Sequence, residues 1–324
     1  MSNKIKIVVL DDYENALTKF ADWSTVHAKA EVIFHQTKLT GQALINALVD
    51  ADVIVLMRDR TPFKADLIEQ LPKLKYVLFT GTRNTQLDLA ALQARNIPVS
   101  CTEFGPSKET TAELTWALIL SALKRVPEQS QILQKQEWRN EFSVLPALTG
   151  QRIGMVGLGE IGGRVAKVAQ AFGMEVVTWS PNMTAERAQA KGATFVSLEE
   201  LLQTSKVVSL HLVPAGPTKG LMNAERLALM RPDSLLVNTS RSSLIVTADL
   251  IAALNAGKPG QVALDVFDEE PLPSNDPLRS APHTFLTPHL GFVAQPVFEK
   301  FASGLVECLE AWLNARPFVR VVEG

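Results

Sequence analysis

The sequence predicts an α/β protein with two parallel sheets, each covered by helices on both faces. Short apolar runs alternate with amphipathic helical stretches along almost the whole chain, as in strands joined by crossover helices. The runs are nearly continuous in Val, Ile and Leu, which is typical of strands buried on both faces. The 324 residues suffice for two domains at roughly 150 residues each.

The first series of predicted strands lies within the first hundred residues. These strands are Ile5–Leu10, Glu31–His35, Val53–Met57, Tyr76–Thr80 and Ile97–Ser100. Residues 40–48, 64–70 and 86–95 have helical spacing between them. A long helix is predicted from Lys108 to Lys124, and Pro127 is expected to end it.

A second series begins after Gly150. Its predicted strands are Arg152–Val156, Glu175–Thr178, Val207–His211, Ser234–Asn238, Val262–Leu264 and Thr284–Leu286. The C-terminal stretch Pro296–Asn314 is again amphipathic and helical. Because turn-forming residues cluster near Glu103 and Ala294, we expect one domain at 1–102 plus 295–324 and another at 103–294.

Charge and cysteine content exclude several classes of protein. Lys plus Arg is 32 and Asp plus Glu is 34, and no basic tract is present, which argues against nucleic acid as a partner. No apolar stretch approaches the ~20 residues that cross a bilayer, so no membrane partner is expected. Cys101 and Cys308 lie far apart without a C-x-x-C pair, which excludes a cysteine-based metal site. We therefore expect a cytoplasmic protein without a metal.

A glycine-rich turn follows the first strand of the second series. The strand ends at Val156, the turn is Gly157-Leu158-Gly159-Glu160-Ile161-Gly162, and a helix is predicted over 163–172. This G-x-G-x-x-G pattern between a strand and a helix is typical of dinucleotide binding. The glycines allow a tight turn, close approach of a pyrophosphate and close packing of the helix.

The residue at the end of the next strand leaves the choice of dinucleotide open. A carboxylate that binds the ribose hydroxyls of NAD is expected about 20 residues on, but Ser180 stands there, followed by Pro181. Arg187 is the nearest basic residue that could hold the 2′-phosphate of NADP. We predict NAD as the cofactor with NADP possible, and use of both with NAD slightly ahead.

Three strand ends carry the side chains that could perform chemistry. Residues 235–241 deliver Arg241, residues 263–272 deliver Asp265 and Glu270, and residues 286–291 deliver His289. In parallel sheets, ligands bind beyond the carboxyl ends of the strands. An arginine binds a carboxylate through two hydrogen bonds, a histidine exchanges a proton, and a glutamate favours the imidazolium. The set suits hydride transfer to a 2-keto acid.

The chain resembles the D-isomer-specific 2-hydroxyacid dehydrogenase family, which includes phosphoglycerate, glycerate and glyoxylate/hydroxypyruvate dehydrogenases. The resemblance extends over nearly all of the chain. It is carried, in the order of the family, by Val156–Gly162, His211–Pro214, Val237–Arg241, Ala263–Pro273 and Thr287–Gly291. It implies a flavodoxin-like substrate domain from both chain ends, a central Rossmann domain that binds NAD(P), and a homodimer formed through the latter.

The resemblance also implies roles for individual residues. Arg241 resembles the substrate-carboxylate arginine, His289 the general acid/base and Glu270 its partner. Asp265 resembles the carboxylate near the nicotinamide amide. The remaining residues implied for the cofactor are Gly157, Gly159, Glu160, Ile161, Gly162, Ser180, Pro214, Thr239 and Ser240.

Two loops of the first domain are candidates for substrate binding. Arg83 and Asn84 lie in a loop that resembles the one whose backbone holds the substrate carboxylate in the family. Arg58 and Arg60 resemble the phosphate-side arginines of phosphoglycerate dehydrogenases, and solvated charges before a helix are the competing interpretation.

The leading hypothesis is an NAD(P)-dependent dehydrogenase of a small D-2-hydroxy acid in the phosphoglycerate, glycerate/hydroxypyruvate or glyoxylate class. A formate dehydrogenase is disfavoured, because relatives of that type have glutamine where Glu270 stands. A dinucleotide-sensing corepressor-like protein on the same fold is the alternative outside catalysis, since it keeps the same three residues.

Overall fold

The computed structural model describes residues 4–139 and 143–323. Within them the strands are β1 Ile5–Val9, β2 Ala30–Phe34, β3 Val53–Leu56, β4 Tyr76–Phe79, β5 Val99–Cys101, β6 Arg152–Val156, β7 Glu175–Trp179, β8 Thr194–Phe195, β9 Val207–Leu210, β10 Leu235–Asn238, β11 Gln261–Leu264 and β12 Thr284–Leu286. The α-helices are α1 Leu17–Phe20, α2 Ser24–Lys29, α3 Gly41–Leu48, α4 Ala65–Ile68, α5 Leu89–Ala94, α6 Ser107–Lys124, α7 Val126–Gln134, α8 Glu160–Ala171, α9 Ala185–Gln189, α10 Leu198–Thr204, α11 Ala224–Leu229, α12 Thr247–Asn255 and α13 Gln295–Leu313.

The chain divides into two compact units. The first unit is Met1–Pro106 with Ala294–Gly324, and the second unit is Ser107–Val293. The described strands of the first unit form a parallel sheet in the order β2-β1-β3-β4-β5. Those of the second unit form a parallel sheet in the order β12-β11-β10-β9-β6-β7-β8. These are the flavodoxin-like and Rossmann strand orders, so the predicted α/β class with two parallel sheets is confirmed.

Each sheet of the two units is buried on both faces, which explains the continuous apolar runs. In the second unit, Val207 belongs to the core formed with α6 and α8, whereas Val208 belongs to the core formed with α10, α11 and α12. In the first unit, the Tyr76 ring stacks on Trp312 of α13 with ring centroids 5.9 Å apart. Successive residues of a strand point to opposite faces of the sheet. The side chains on both faces must therefore be apolar.

Some element boundaries differ from those predicted. β9 ends at Leu210, so His211 follows the strand rather than lying within it. α8 begins at Glu160, directly after the second glycine of the turn, rather than at Gly163. Pro127 does not end α6: Arg125 breaks the helix with a φ of 47°, and Pro127 lies in the first turn of α7, where its missing N–H costs nothing.

Among the described residues, no helix combines the length and the apolarity that are needed to cross a bilayer. The cytoplasmic location expected from the cysteine content stays a prediction.

Candidate active site

The glycine turn of the second unit has the backbone geometry that a dinucleotide requires. Gly157 has a φ of 99°, which favours glycine. A Cβ atom added to Gly162 would lie 2.3 Å from the Gly157 carbonyl oxygen, so the helix packs tightly on the turn. A Cβ atom added to Gly159 would meet nothing within 4 Å. The side of the turn at the start of α8 is therefore open, and the residues fit a pyrophosphate there.

The turn lies where the order of the strands reverses. β6 and β9 are neighbours in the sheet but not in the chain, and this is the position where Rossmann folds bind dinucleotides. A Cβ atom on Gly157 would lie 2.7 Å from the carbonyl oxygen of His211. Ser209 Oγ and His211 Nε2 are 2.9 Å apart, and burial lowers the pKa of His211 to about 4. The His211 imidazole is therefore neutral, and the His211 backbone packs closely against Gly157 of the turn.

Thr239 and Ser240 connect the strand end that carries Arg241 to neighbouring elements. The hydroxyl oxygens of Thr239 and Thr115 in α6 are 2.8 Å apart and buried. Ser240 Oγ donates a 2.8 Å hydrogen bond to the carbonyl oxygen of Leu212 in the loop after β9. Pro214 follows two residues later in that loop. These residues hold the ends of β9 and β10 together.

The other residues predicted to contact the cofactor start α8 or end β7. Glu160 is exposed and forms an ion pair with Lys108. Ile161 is partly buried and packs against the core. Ser180 follows directly after β7.

His289 and Glu270 form the central pair of the site. His289 Nδ1 lies 2.6 Å from Glu270 Oε2, and both side chains are about one third exposed, at 32% and 34%. Glu270 Oε1 accepts a 3.0 Å hydrogen bond from the backbone N–H of Phe267. Burial raises the pKa of Glu270, but the hydrogen bond and charge of His289 outweigh it, so the pKa lies below its ordinary value. The carboxylate is thus ionised and orients the imidazole.

Arg241 is held at the end of β10 by a buried amide that the sequence analysis did not single out. Asn238 Nδ2 donates a 2.8 Å hydrogen bond to the carbonyl oxygen of Arg241, and Asn238 Oδ1 accepts one of 3.0 Å from the backbone N–H of Ser240. Arg241 is exposed, and its charge also lowers the pKa of Glu270. The second unit thus brings Arg241, Glu270 and His289 together. A polar residue ending an apolar strand is the signal that could have identified Asn238.

Asp265 binds the loop that carries His289. Its buried carboxylate accepts hydrogen bonds from Thr287 Oγ1 at 2.6 Å, from the Leu290 N–H at 2.7 Å and from the Gly291 N–H at 2.9 Å. Burial raises the pKa of Asp265, while these hydrogen bonds oppose the rise. The placement of Asp265 beside the nicotinamide stays a prediction. Its contacts in the structure are with the loop that carries His289.

Two threonines at the start of α6 also hold this loop. Thr110 Oγ1 and Thr111 Oγ1 lie 2.9 Å and 3.0 Å from the carbonyl oxygen of Gly291. Both threonines lie in the helix that is predicted to begin at Lys108. The repeated hydroxyls at a helix start gave no indication of a partner so distant in the chain.

The four candidate substrate residues of the first unit follow β3 and β4. Arg60 donates two hydrogen bonds to the Glu14 carboxylate, at 2.9 Å and 2.6 Å, and its guanidinium lies 4.4 Å from the centre of the Tyr13 ring. Arg60 is thus bound by Glu14 and Tyr13, two residues of the same unit.

Arg58 forms hydrogen bonds with the loop that follows β4. Its Nη1 donates a 3.0 Å hydrogen bond to the carbonyl oxygen of Arg83, and its guanidinium lies 4.1 Å from the centre of the Phe104 ring. Asn84 Nδ2 donates a 2.8 Å hydrogen bond to the carbonyl oxygen of Arg58, whereas Arg83 itself is exposed. The structure therefore brings Arg58, Arg83 and Asn84 together.

The fold and the glycine turn are those of dinucleotide-binding proteins, and a His–Glu pair near an arginine suits an oxidoreductase. Residues 116–291 match the family model described as "D-isomer specific 2-hydroxyacid dehydrogenase, NAD binding domain". The chain is 34% identical over 283 residues to a glyoxylate reductase from Aeropyrum pernix, covering 85% of this chain and 84% of the relative. It is 30% identical over 323 residues to a hydroxypyruvate reductase from Blautia hydrogenotrophica, covering 97% and 98%.

A solved structure of a phosphoglycerate oxidoreductase from Vibrio cholerae superimposes with a TM-score of 0.88 at 30% identity, covering 96% of this chain and 99% of that one. The chain therefore belongs to the D-isomer-specific 2-hydroxyacid dehydrogenase family. It is an NAD(P)-dependent oxidoreductase of that family, and it contains an NAD-binding domain. The predicted family, enzyme class and nicotinamide dinucleotide cofactor are confirmed, whereas the predicted order of NAD and NADP stays a prediction.

Proposed function

We propose that the protein reduces a small, unphosphorylated 2-keto acid of the glyoxylate and hydroxypyruvate class to the corresponding 2-hydroxy acid, which is the D-isomer where C2 is chiral. The observation that carries this proposal is the 2.6 Å contact between His289 Nδ1 and Glu270 Oε2, with Arg241 close enough to lower the pKa of the same carboxyl. Since Glu270 binds Nδ1, His289 Nε2 is the ring nitrogen that would exchange a proton with the substrate. A proton donor and a carboxylate-binding cation are the two groups that a 2-keto acid needs.

In the proposed mechanism Arg241 binds the substrate carboxylate through the planar fork of its guanidinium. When bound, the reduced nicotinamide supplies a hydride to C2 of the keto acid. His289 donates its proton to the keto oxygen, so that the oxygen becomes the hydroxyl and the imidazole becomes neutral. Glu270 stabilises the protonated imidazole before this transfer, and the reverse reaction uses the same groups in the opposite direction.

The contacts of the first unit favour an unphosphorylated substrate. A phosphorylated substrate would need arginines that are free to bind a dianion. Arg60 instead forms a two-point ion pair with Glu14, and Arg58 donates to the Arg83 carbonyl while it stacks on Phe104. The full-length relatives named glyoxylate reductase and hydroxypyruvate reductase support the same class. Substrate binding by the first unit stays a prediction.

The test is the absorbance of reduced cofactor in the presence of glyoxylate, hydroxypyruvate or 3-phosphohydroxypyruvate. We expect the two unphosphorylated acids to give the higher kcat/KM. In His289→Asn, turnover should fall by about 10²–10⁴-fold while cofactor still binds, because general acid–base catalysis accounts for that range. His27→Gln, an exposed histidine of the first unit, serves as the control.

Higher kcat/KM for the phosphorylated acid would contradict the substrate class. Cofactor binding without turnover of any keto acid would instead favour the corepressor-like alternative.

We also propose that the protein is a homodimer formed through the second unit, as the family implies. Exposed apolar side chains lie on α7 and the segment after it, where Val126 is 55%, Leu133 59%, Trp138 70% and Val144 91% exposed. A cluster of exposed apolar side chains marks an interaction surface. Sedimentation of Leu133→Glu against the parent protein tests this; a parent protein that sediments as a monomer would contradict it.

A further inference from the structure

The strand end that follows the glycine turn has cations near it where NAD-binding domains usually place a carboxylate. The backbone N–H of Gly157 donates a 2.9 Å hydrogen bond to the carbonyl oxygen of Trp179, so the turn lies directly beside the end of β7. In this fold the adenosine ribose of the dinucleotide lies at that strand end. Ser180 occupies the position of the usual acid.

Lys191 brings an ammonium group to the glycine turn. Its Nζ donates a 2.6 Å hydrogen bond to the carbonyl oxygen of Leu158, the second residue of the turn. No sequence motif links Lys191 to the turn, because the two lie 33 positions apart along the chain. An ammonium group has three N–H donors, so this bond leaves two for another ligand.

The backbone of Lys191 is fixed to the helix that follows the turn. Gln170 Nε2, in α8, donates hydrogen bonds to the carbonyl oxygens of Lys191, at 3.3 Å, and Gly192, at 2.8 Å. The next residues pair with β7 through the short strand β8. Lys191 is therefore held in place by main-chain contacts on both sides.

Arg187, in α9, brings a second cation to the segment that follows β7. Its backbone N–H is capped by Thr184 Oγ1, and its Nη1 donates a 2.5 Å hydrogen bond to the carbonyl oxygen of Asn182, two residues after Ser180. Among the residues that the structure describes, neither Arg187 nor Lys191 forms an ion pair with a carboxylate. Both charges are thus available to an anion.

We propose that Lys191, with Arg187 beside it, binds the 2′-phosphate of NADP and makes NADP(H) the preferred dinucleotide of this enzyme. A phosphate dianion would take hydrogen bonds from the remaining N–H groups of Lys191. Ser180 can donate a hydrogen bond to the phosphate and carries no charge that repels it. This reverses the order expected from the sequence, in which NAD was slightly ahead. The inference rests on dinucleotide binding by the glycine turn and not on the identity of the keto acid.

Calorimetric titration of the protein with 2′,5′-ADP and with 5′-AMP tests the proposal without turnover. Both probes carry a single 5′-phosphate, and they differ only in the 2′-phosphate. We expect the intact protein to bind 2′,5′-ADP about tenfold or more tightly than 5′-AMP, the range of one charge-assisted hydrogen bond. In Lys191→Gln that advantage should fall to roughly one tenth of its original value, while the Kd for 5′-AMP stays nearly unchanged. Lys191→Arg should retain much of the preference.

Two controls make the result specific. Lys167→Gln removes an exposed lysine from α8 and should leave both affinities as they were. Arg187→Gln should weaken 2′,5′-ADP selectively, and it keeps the test valid if Lys191→Gln does not fold.

Equal affinity of the intact protein for the two nucleotides would overturn the proposal. An equal loss of both affinities in Lys191→Gln would also overturn it, because Lys191 would then only support the turn. If neither nucleotide bound, both the Lys191 proposal and the assignment of the glycine turn as a dinucleotide site would be wrong. Failure of the keto-acid proposal would appear separately, as missing turnover with normal nucleotide affinities.

Discussion

The backbone N–H of Leu290 donates a 2.7 Å hydrogen bond to Asp265 Oδ1, which fixes the residue directly after His289. Asp265 also accepts hydrogen bonds from Thr287 Oγ1 and the Gly291 N–H, so both of its oxygens bind the same loop. His289 itself has a φ of 54°, a backbone conformation that needs support from its surroundings. The buried carboxylate supplies that support.

We therefore predict that Asp265→Asn lowers kcat by roughly tenfold to a hundredfold, because small displacements of a catalytic group are costly. Asparagine has one acceptor oxygen where aspartate has two, so at least one of the loop hydrogen bonds is lost. The measurement is kcat, KM and the pH profile of keto-acid reduction. Glu269→Gln, which removes an exposed carboxylate one residue before Glu270, is the control; an unchanged kcat in Asp265→Asn would refute the positioning role.

Glu270→Gln should reduce kcat/KM and move the pH profile of reduction. Glu270 is ionised in the folded protein because His289 holds its pKa below the ordinary value. Its charge favours the protonated imidazole, which is the form that donates a proton to the keto acid. Without that charge, reductive activity should be lost at a lower pH than in the parent enzyme. Rate measurements across the pH range test this, and a coincident profile would contradict the proposed pair.

Arg241→Lys should weaken keto-acid binding while dinucleotide binding is retained. Lysine keeps the positive charge but has no planar fork to bind both carboxylate oxygens. We expect the KM for the keto acid to rise about tenfold or more, the range for a lost hydrogen bond to a charged group. Steady-state kinetics with glyoxylate provide the measurement, and Arg231→Lys, which removes a guanidinium paired with Asp233, is the matched control. An unchanged KM and kcat would argue against substrate binding by Arg241.

His211 should make the protein less stable in mild acid. Burial places its pKa at about 4, below the ordinary value of 6.5, so the unfolded chain binds this proton more strongly. Between those two values the free energy of unfolding must fall as the pH falls. In His211→Gln this part of the pH dependence should disappear, which urea unfolding at several pH values would show. His27→Gln, which changes an exposed histidine, is the control. Identical pH dependence in His211→Gln and the parent protein would count against a neutral His211 imidazole in the folded state.

The elements that could be predicted from the sequence are those set by local sterics and by periodicity. The continuous apolar runs predicted parallel strands covered on both faces, and the structure confirms two parallel sheets. The turn from Gly157 to Gly162 was recognisable because Gly157 has a positive φ and Gly162 has no room for a Cβ atom beside the Gly157 carbonyl oxygen. β8 was not predicted, since Thr194 and Phe195 are exposed and show no apolar pattern.

Contacts between distant segments depend on the order of the strands, which no local pattern contains. Asp265 meets the Leu290 N–H 25 positions later because β11 and β12 are adjacent and parallel, so their carboxyl ends share one edge of the sheet. Lys191 reaches Leu158 because the chain returns beside β7 after α9. The residue types that we propose for the chemistry were therefore readable from motifs. The groups that hold them, and the position of Lys191 at the glycine turn, come from the packing of parallel strands against one another.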